Sequence, residues 1–359
     1  MESAKFRLGR KGRGAQSNSG CRFESETREA CDDGWGNLED ELPAMRTTVQ
    51  LDAARGIITR NQSPDVPFDR SINPYRGCEH GCVYCFARPS HAYLGLSPGQ
   101  DFESRLFAKP EAAQLLREEL RRPNYRCRVI ALGTNTDPYQ PVEKSMRIVR
   151  GILEVLAEHN HPVGIVTKSA LILRDADILA PMAVKRLAKA YISVTSLDRD
   201  LSRRMEPRAP TPTLRLRAVR ELSAKGIPVG VLLAPVIPGL NDGDIERILR
   251  AAAEMGATSA GYVLLRLPLE VMTLFKQWLS AHFPAKAKKI MSLVRQSRGG
   301  VDYDPQFGAR MRGEGIYADL IAQRFNLACR RFGLNKRSWE LETNLFAVPS
   351  RIGDQLRLF

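Results

Sequence analysis

Three cysteines, Cys78, Cys82 and Cys85, crowd into one short stretch of a 359-residue chain. The segment reads Gly77-Cys78-Glu79-His80-Gly81-Cys82-Val83-Tyr84-Cys85, a Cys-x3-Cys-x2-Cys spacing. Three thiolates on one tight loop can hold three irons of a [4Fe–4S] cluster and leave the fourth iron open to a small molecule. Gly77 and Gly81 let the backbone wrap closely. The competing reading is a structural zinc site, which wants four ligands and usually two pairs of Cys or His. Cys82 and Cys85 make one pair, with His80 or His91 to assist, but no second CxxC occurs. Buried cysteines of the purely packing kind fit poorly among Gly, His and Glu.

The elements that must carry this loop follow from periodicity. Strand candidates are 70–75, 128–133, 162–168, 190–195, 227–236 and 260–267. Helix candidates alternate with them at 110–122, 176–189, 213–225 and 244–255, and Val142, Met146, Val149, Leu153 and Leu156 share one helical face. Six β-then-α units imply α/β architecture with a parallel sheet. Six falls short of the eight of a closed barrel, so a partial, TIM-like (β/α)6 barrel is expected, with its chemistry at the strand C-terminal ends. The first strand runs straight into the cysteine loop. Mainly helical segments at 269–283, 285–298 and 315–332 then form a C-terminal extension.

The cysteine spacing, with aromatic Tyr84 before the last Cys, resembles the radical S-adenosylmethionine (SAM) superfamily. That resemblance implies that Cys78, Cys82 and Cys85 hold a [4Fe–4S] cluster and that the open iron chelates SAM. One-electron cleavage then yields a 5′-deoxyadenosyl radical that abstracts hydrogen from substrate. It also implies a reducing partner such as flavodoxin or ferredoxin. The superfamily's Gly-Gly-Glu-type segment is absent after the second strand. Thr134, Asn135, Thr136 and Asp137 stand there instead, and Asp137 reads equally as an Asp-Pro turn. At other strand ends, Lys168 suits the SAM carboxylate as a point charge, Ser193 offers a hydroxyl, and Arg208 could reach the same carboxylate. Val236–Gly239 partly matches the segment that lies near adenine.

Tyr75-x2-Cys78, Cys-x-Tyr-Cys, Thr136-Asp137-Pro138-Tyr139-Gln140-Pro141-x-Glu143 and Lys168-Ser169 resemble the spore photoproduct lyase-like branch, often labelled DNA repair photolyases. The Gly-Arg-Gly-Ala arm at 12–15 resembles a bacterial subfamily within it. That branch implies DNA repair or modification, with RNA or protein substrates, or an iron–sulfur binding protein with little turnover, as alternatives. Spore photoproduct lyase uses a cysteine near the end of its second strand to return hydrogen. Here that stretch reads Leu132-Gly133-Thr134-Asn135, and no residue is assigned a catalytic role.

The composition sets the frame. Lys plus Arg number 54 against 40 Asp plus Glu, a net charge of +14, and 43% of residues are hydrophobic. A core of normal size can form, and a fibrous or mainly disordered chain is excluded. No apolar run long enough to span a membrane occurs, and no secretory h-region follows the basic start, so a cytoplasmic enzyme is expected. Residues 1–65 read as an N-terminal extension, basic then acidic and largely disordered. The radical SAM core spans 66–268 and the helical extension 269–350. Basic patches at Arg199, Arg203, Arg204, Arg208, Arg215, Arg217 and Arg220, and at Lys286, Lys288, Lys289, Arg295 and Arg298, suit phosphates or are solvated helix faces. The tail 351–359 ends Gln355-Leu356-Arg357-Leu358-Phe359. It resembles the peptide by which bacterial proteins dock on the DNA sliding clamp, with Leu356, Leu358 and Phe359 in apolar pockets and Gln355 at the rim.

Overall fold

A computed structural model describes residues 12–18, 20, 22–23, 45–337 and 339–349. Among the described residues ten strands occur: β1 Thr48–Leu51, β2 Ile58–Arg60, β3 Arg70–Ile72, β4 Tyr75–Arg76, β5 Arg105–Ala108, β6 Ile130–Leu132, β7 Val163–Thr167, β8 Ala188–Ser193, β9 Val229–Val236 and β10 Ser259–Leu264. The main sheet has the order β10-β9-β8-β7-β6-β3-β2. From β3 to β10 every neighbouring pair is parallel, and only β2 runs antiparallel, against β3. The six parallel strands are the expected partial barrel, open between the edges β10 and β2. A small second sheet, β1-β5-β4, was not expected from the sequence and lies beside the cysteine loop.

The strands form where β-branched residues alternate. In β7, Val163, Ile165 and Thr167 are buried while Gly164 and Val166 are half-buried. The helix Ile148–Glu158 buries Ile148, Val149, Ile152, Leu153, Val155 and Leu156. At about 1.5–3 kcal/mol for each large apolar side chain, this face contributes on the order of 10 kcal/mol of gross burial. The apolar face predicted from Val142 to Leu156 is split in two, Glu143–Met146 and Ile148–Glu158, at Arg147 with φ 52°. The buried carboxylate of Glu143 accepts the amides of Ile148 and Val149, each at 3.1 Å, and so starts the second helix itself.

Glu270–His282, Pro284–Gln296 and Ile316–Phe332 form the C-terminal helical region. Trp278, Phe275, Ile290 and Val294 build a second apolar cluster that also includes Cys82, Val83 and Tyr84. The cysteine loop is therefore packed on a cluster of its own, shared with the C-terminal helices and distinct from the barrel core. The arm at 12–18 differs from the expectation of a disordered extension: Arg13, Gly14 and Ala15 are buried against the loop. The terminal peptide Gln355–Phe359 lies outside the described residues.

Candidate active site

The cysteine loop leaves the C-terminal end of β3 through β4, at the barrel end where βα loops gather. Gly77 has φ 76°, and a Cβ there would meet Leu106 Cδ2 at 2.8 Å and Phe102 O at 2.9 Å. Gly81 has φ 65°, and its Cβ would press on Glu103 Oε2 at 2.7 Å. Glycine is required at both places. Side chains the sequence reading did not single out hold the loop backbone. Gln140, fully buried, accepts the Glu79 amide at 2.8 Å and donates to Gly77 O at 3.2 Å. Arg88, also fully buried, donates from Nε to Cys82 O at 2.9 Å and from Nη1 to Gly99 O at 2.8 Å. Gln140 stands within the Thr136–Glu143 motif with no role attached, and the only signal for Arg88 is its position three residues past Cys85.

Cys78 and Cys82 are buried and Cys85 half-buried, all as free thiols. Burial pushes the Cys78 thiol well above its ordinary range, with Asp137 adding to the shift. Burial also pushes Cys82 up to about 12, against the pull of Lys168. Such thiols ionise when a metal centre takes the charge, which suits cluster ligation and makes them inert as nucleophiles. Among the described residues, no group of three or more His, Cys, Asp or Glu is arranged to hold a metal ion. Three thiolates that each take a separate iron of one cluster make a different demand. On the donor set and the loop, the residues fit the cluster.

Around the loop lies a ring of polar residues from the other strand ends. Tyr84 donates its hydroxyl to Glu206, which also accepts from Thr195 Oγ1 at 2.9 Å and pairs with Arg215. Glu206 is 1% exposed and Arg215 likewise. Burial works against the charge of Glu206, but Arg215 and Lys168 outweigh it and hold its carboxyl below the usual range. Lys168, just past β7, lies with Nζ 5.8 Å from the Tyr84 ring centroid. Burial opposes its charge, and Cys82 and Glu206 more than restore it. Ser193 ends β8, and its side chain is buried on the same face of the strand as Tyr191. Thr134 Oγ1 exchanges hydrogen bonds with Asn73 at 3.3–3.4 Å, and the exposed Asn135 donates its amide to the same Asn73 at 3.0 Å.

Two expected cofactor contacts are already engaged. The Asp137 carboxylate accepts from Thr167 Oγ1 at 2.6 Å, Lys168 N at 2.7 Å and Tyr139 N at 2.9 Å, with His80 Nδ1 at 3.3 Å. Burial would raise its pKa, yet His80 and these donors overcome that and hold it at about 2. The Tyr139 bond is the local Asp-Pro turn, so Asp137 braces the loop against the ends of β6 and β7 instead of presenting a free carboxylate. Arg208 donates to Glu79 at 3.0 Å, within the cysteine loop itself. Arg215 and Arg298, read as members of basic patches, are both buried. Arg215 serves Glu206, and Arg298 donates to Leu265 O at 2.8 Å. Cys127 precedes β6, at the opposite end of that strand from Thr134.

The comparisons agree with this geometry. The family model of the radical SAM superfamily matches residues 72–252. An uncharacterized protein of Mycobacterium tuberculosis is 38% identical over 233 residues, covering 64% of this chain and 68% of the relative. One from Methanocaldococcus jannaschii is 26% identical over 213 residues, 59% of this chain and 76% of that protein. Among solved structures, a spore photoproduct lyase variant with bound AdoMet and dinucleoside spore photoproduct superposes with a TM-score of 0.54 at 14% identity, over 79% of this chain and 77% of that one. Spore photoproduct lyase complexed with the dinucleoside product gives 0.53 at 15% identity, with the same coverage. At that identity the likeness is one of fold. With half of its length matched by the family model and a helix-flanked parallel sheet that delivers three cysteines to one end, the chain belongs to the radical SAM superfamily.

Proposed function

We propose that Cys78, Cys82 and Cys85 hold the [4Fe–4S] cluster with which this radical SAM enzyme works, and that its substrate is DNA. The chemistry supplied by the bound cluster is one-electron cleavage of SAM to a 5′-deoxyadenosyl radical, which takes a hydrogen atom from substrate. The protein's own part is placement. Lys168 and Ser193 would hold the SAM carboxylate and ribose, Thr134 and Asn135 would offer oxygens to its amino group, and the Tyr84 ring packs beneath Lys168. Asp137, Gln140 and Arg88 keep the loop rigid. Arg208 acts through Glu79 as a loop brace. The core 66–268 carries this chemistry, and 269–350 supports it through Trp278 and its neighbours.

The observation that carries the reading is the convergence of the three-cysteine loop, Lys168 and Ser193 on one end of six parallel strands. DNA is supported by the lyase-like fold, by exposed arginines at the same end and by the tail. Gln355, Leu356, Leu358 and Phe359 dock on the bacterial sliding clamp, and a flavodoxin or ferredoxin of the cytoplasm supplies electrons. Among the described residues no helix is long and apolar enough to cross a membrane.

Anaerobic reconstitution tests the reading. Wild type is expected to bind iron and sulfide and show visible iron–sulfur absorption, and to form 5′-deoxyadenosine from SAM once reduced. Cys78→Ala is expected to lose both. DNA oligonucleotides should stimulate cleavage more than RNA or peptide. A colourless wild type that contains zinc overturns the cluster assignment, and stimulation by RNA alone overturns the substrate.

A further inference from the structure

The segment Gly12-Arg13-Gly14-Ala15 has no part in the chemistry above, yet it is held at every residue from 13 to 18. The amides of Gly14 and Ala15 donate to the two carboxylate oxygens of Glu103, each at 2.8 Å. Arg13 Nη1 donates to Glu103 O at 2.6 Å, and Nη2 donates to Met45 O at 2.7 Å and Thr47 Oγ1 at 3.1 Å. Gln100 donates to Ala15 O at 3.3 Å, Ser17 Oγ to Gln277 at 2.7 Å, and Asn18 and Asp101 bond reciprocally at 2.9 and 3.0 Å. Arg13 is 6% exposed, Ala15 and Glu103 not at all. A buried arginine and a buried carboxylate persist only when their partners are present.

These contacts end on the cysteine loop. A Cβ on Gly14 would lie 1.8 Å from Gly81 O, so the strap backbone rests directly on the loop backbone. Glu103 also takes Arg88 Nη2, the same arginine whose Nε holds Cys82 O. Thr47, gripped by Arg13, donates to Glu79 at 2.7 Å. The strap thus reaches Glu79, Gly81 and Cys82, the residues between and including the cluster ligands, by three separate routes.

We propose that residues 12–18 form a strap that locks the cysteine loop in its ligating conformation and retards loss of iron, with Arg13, Gly14 and Glu103 as positioning residues. This rests on the assignment of Cys78, Cys82 and Cys85 to the cluster. Two devices make the lock. Only glycine fits at 14, because the strap and loop backbones touch. The Glu103 carboxylate converts strap docking into a fixed orientation of Arg88, and through it of Cys82. A loop freed from the strap opens more often, and each opening exposes the cluster to water and oxidant.

The test is iron release from the full chain, anaerobically reconstituted, into an excess of an iron chelator. Gly14→Ala, Glu103→Gln and deletion of residues 1–18 are each expected to release iron at least tenfold faster than wild type. Arg13→Lys should recover much of what Arg13→Ala loses. Arg22→Ala, which removes an exposed bond to Glu270, should release iron at the wild-type rate. The electron paramagnetic resonance line shape of the reduced cluster should change in Glu103→Gln, which general destabilisation would not produce. Should a variant fold poorly by circular dichroism, trypsin cleavage after Arg13 in the apo wild type gives a second reading. Protection there supports docking, and cleavage as fast as in an unfolded peptide overturns it. Release rates within twofold of wild type in loaded Gly14→Ala and Glu103→Gln refute the strap while sparing the ligand assignment. A wild type that never binds iron refutes the assignment, and the strap with it.

Discussion

Glu206→Gln is the most informative single change in the polar ring. The carboxylate is fully enclosed, and its partner Arg215 is equally buried. Gln keeps the shape and can still accept from Tyr84 and Thr195, but it leaves Arg215 as an uncompensated buried cation. Removing one member of a buried ion pair costs about 3–5 kcal/mol. At about 2.1 cal/mol/K of unfolding entropy per residue over roughly 300 residues, this lowers Tm by about 5–8 °C. Differential scanning calorimetry of the apo protein reads it directly. The double variant Glu206→Leu, Arg215→Met should recover only part of the loss, because both charges go together while the buried Tyr84 and Thr195 hydroxyls lose their acceptor. The network also holds Tyr84, next to the last cysteine of the loop; Glu206→Gln keeps that acceptor and the double variant loses it, so the double variant should load less iron than its stability alone would suggest. A Glu206→Gln protein that melts within 1 °C of wild type would refute the argument, for Arg215 would then have found another partner or water.

Three further outcomes follow from the structure. Asp137→Asn should lose about 2 kcal/mol at neutral pH, the equivalent of a carboxyl held at about 2 against an unfolded value of 3.8. This contribution is full above the unfolded value and is lost as pH falls towards 2, so urea titrations of wild type and variant should converge over that window. His161 accepts from the Tyr125 hydroxyl at 2.6 Å and lies 3.1 Å from Pro162 O, with burial holding it down to about 4. Its neutral form therefore stabilises fully above about pH 6.5 and progressively less down to pH 4, by about 3 kcal/mol in all, and His161→Gln should flatten that slope. Deleting Gln355–Phe359 should abolish binding to the sliding clamp in a direct titration and leave iron content unchanged.

What could be read from residue order was whatever depends on local spacing. The six parallel strands follow from β-branched runs that alternate with helical periods, and the cysteine loop follows from three thiols too close together to be incidental. What could not be read depends on which distant side chains meet. Glu103 and Arg88 carry no local signal, Gln140 stands in the Thr136–Glu143 motif without a role that the motif states, and only the fold brings the three to the loop as its buried supports. Asp137 illustrates the same limit. Its position at a strand end was legible, but the identity of its partners, Thr167 and the Lys168 amide from the neighbouring strand, was not. β1, β2 and β5 lie outside the alternation of strands and helices that marked the parallel strands, so nothing in the local pattern singled them out.

The net charge of +14 is a poor guide to substrate because several of its arginines are spent inside the fold. Arg88, Arg215 and Arg298 are buried on carbonyls and carboxylates and cannot meet a phosphate. Arg217 pairs with Glu221, and Arg295 with Asp302. Exposed at the barrel end of the site, beside Arg208, is the helix Arg199–Met205, which follows β8 and presents Arg199, Arg203 and Arg204. Its far end is fixed by Trp278 Nε1, which donates to Arg204 O at 3.0 Å. Each phosphate contact contributes about 0.9 to the slope of log affinity against log salt on duplex DNA. Arg203→Glu with Arg204→Glu should therefore weaken binding and lower that slope by about 2. Lys288→Glu with Lys289→Glu, on the C-terminal helix Pro284–Gln296, removes the same charge from another face and should leave the slope near wild type. Fluorescence anisotropy across a salt series separates the two. An equal fall in both variants would show that binding follows net charge alone, and the helix after β8 would lose its claim to face the substrate.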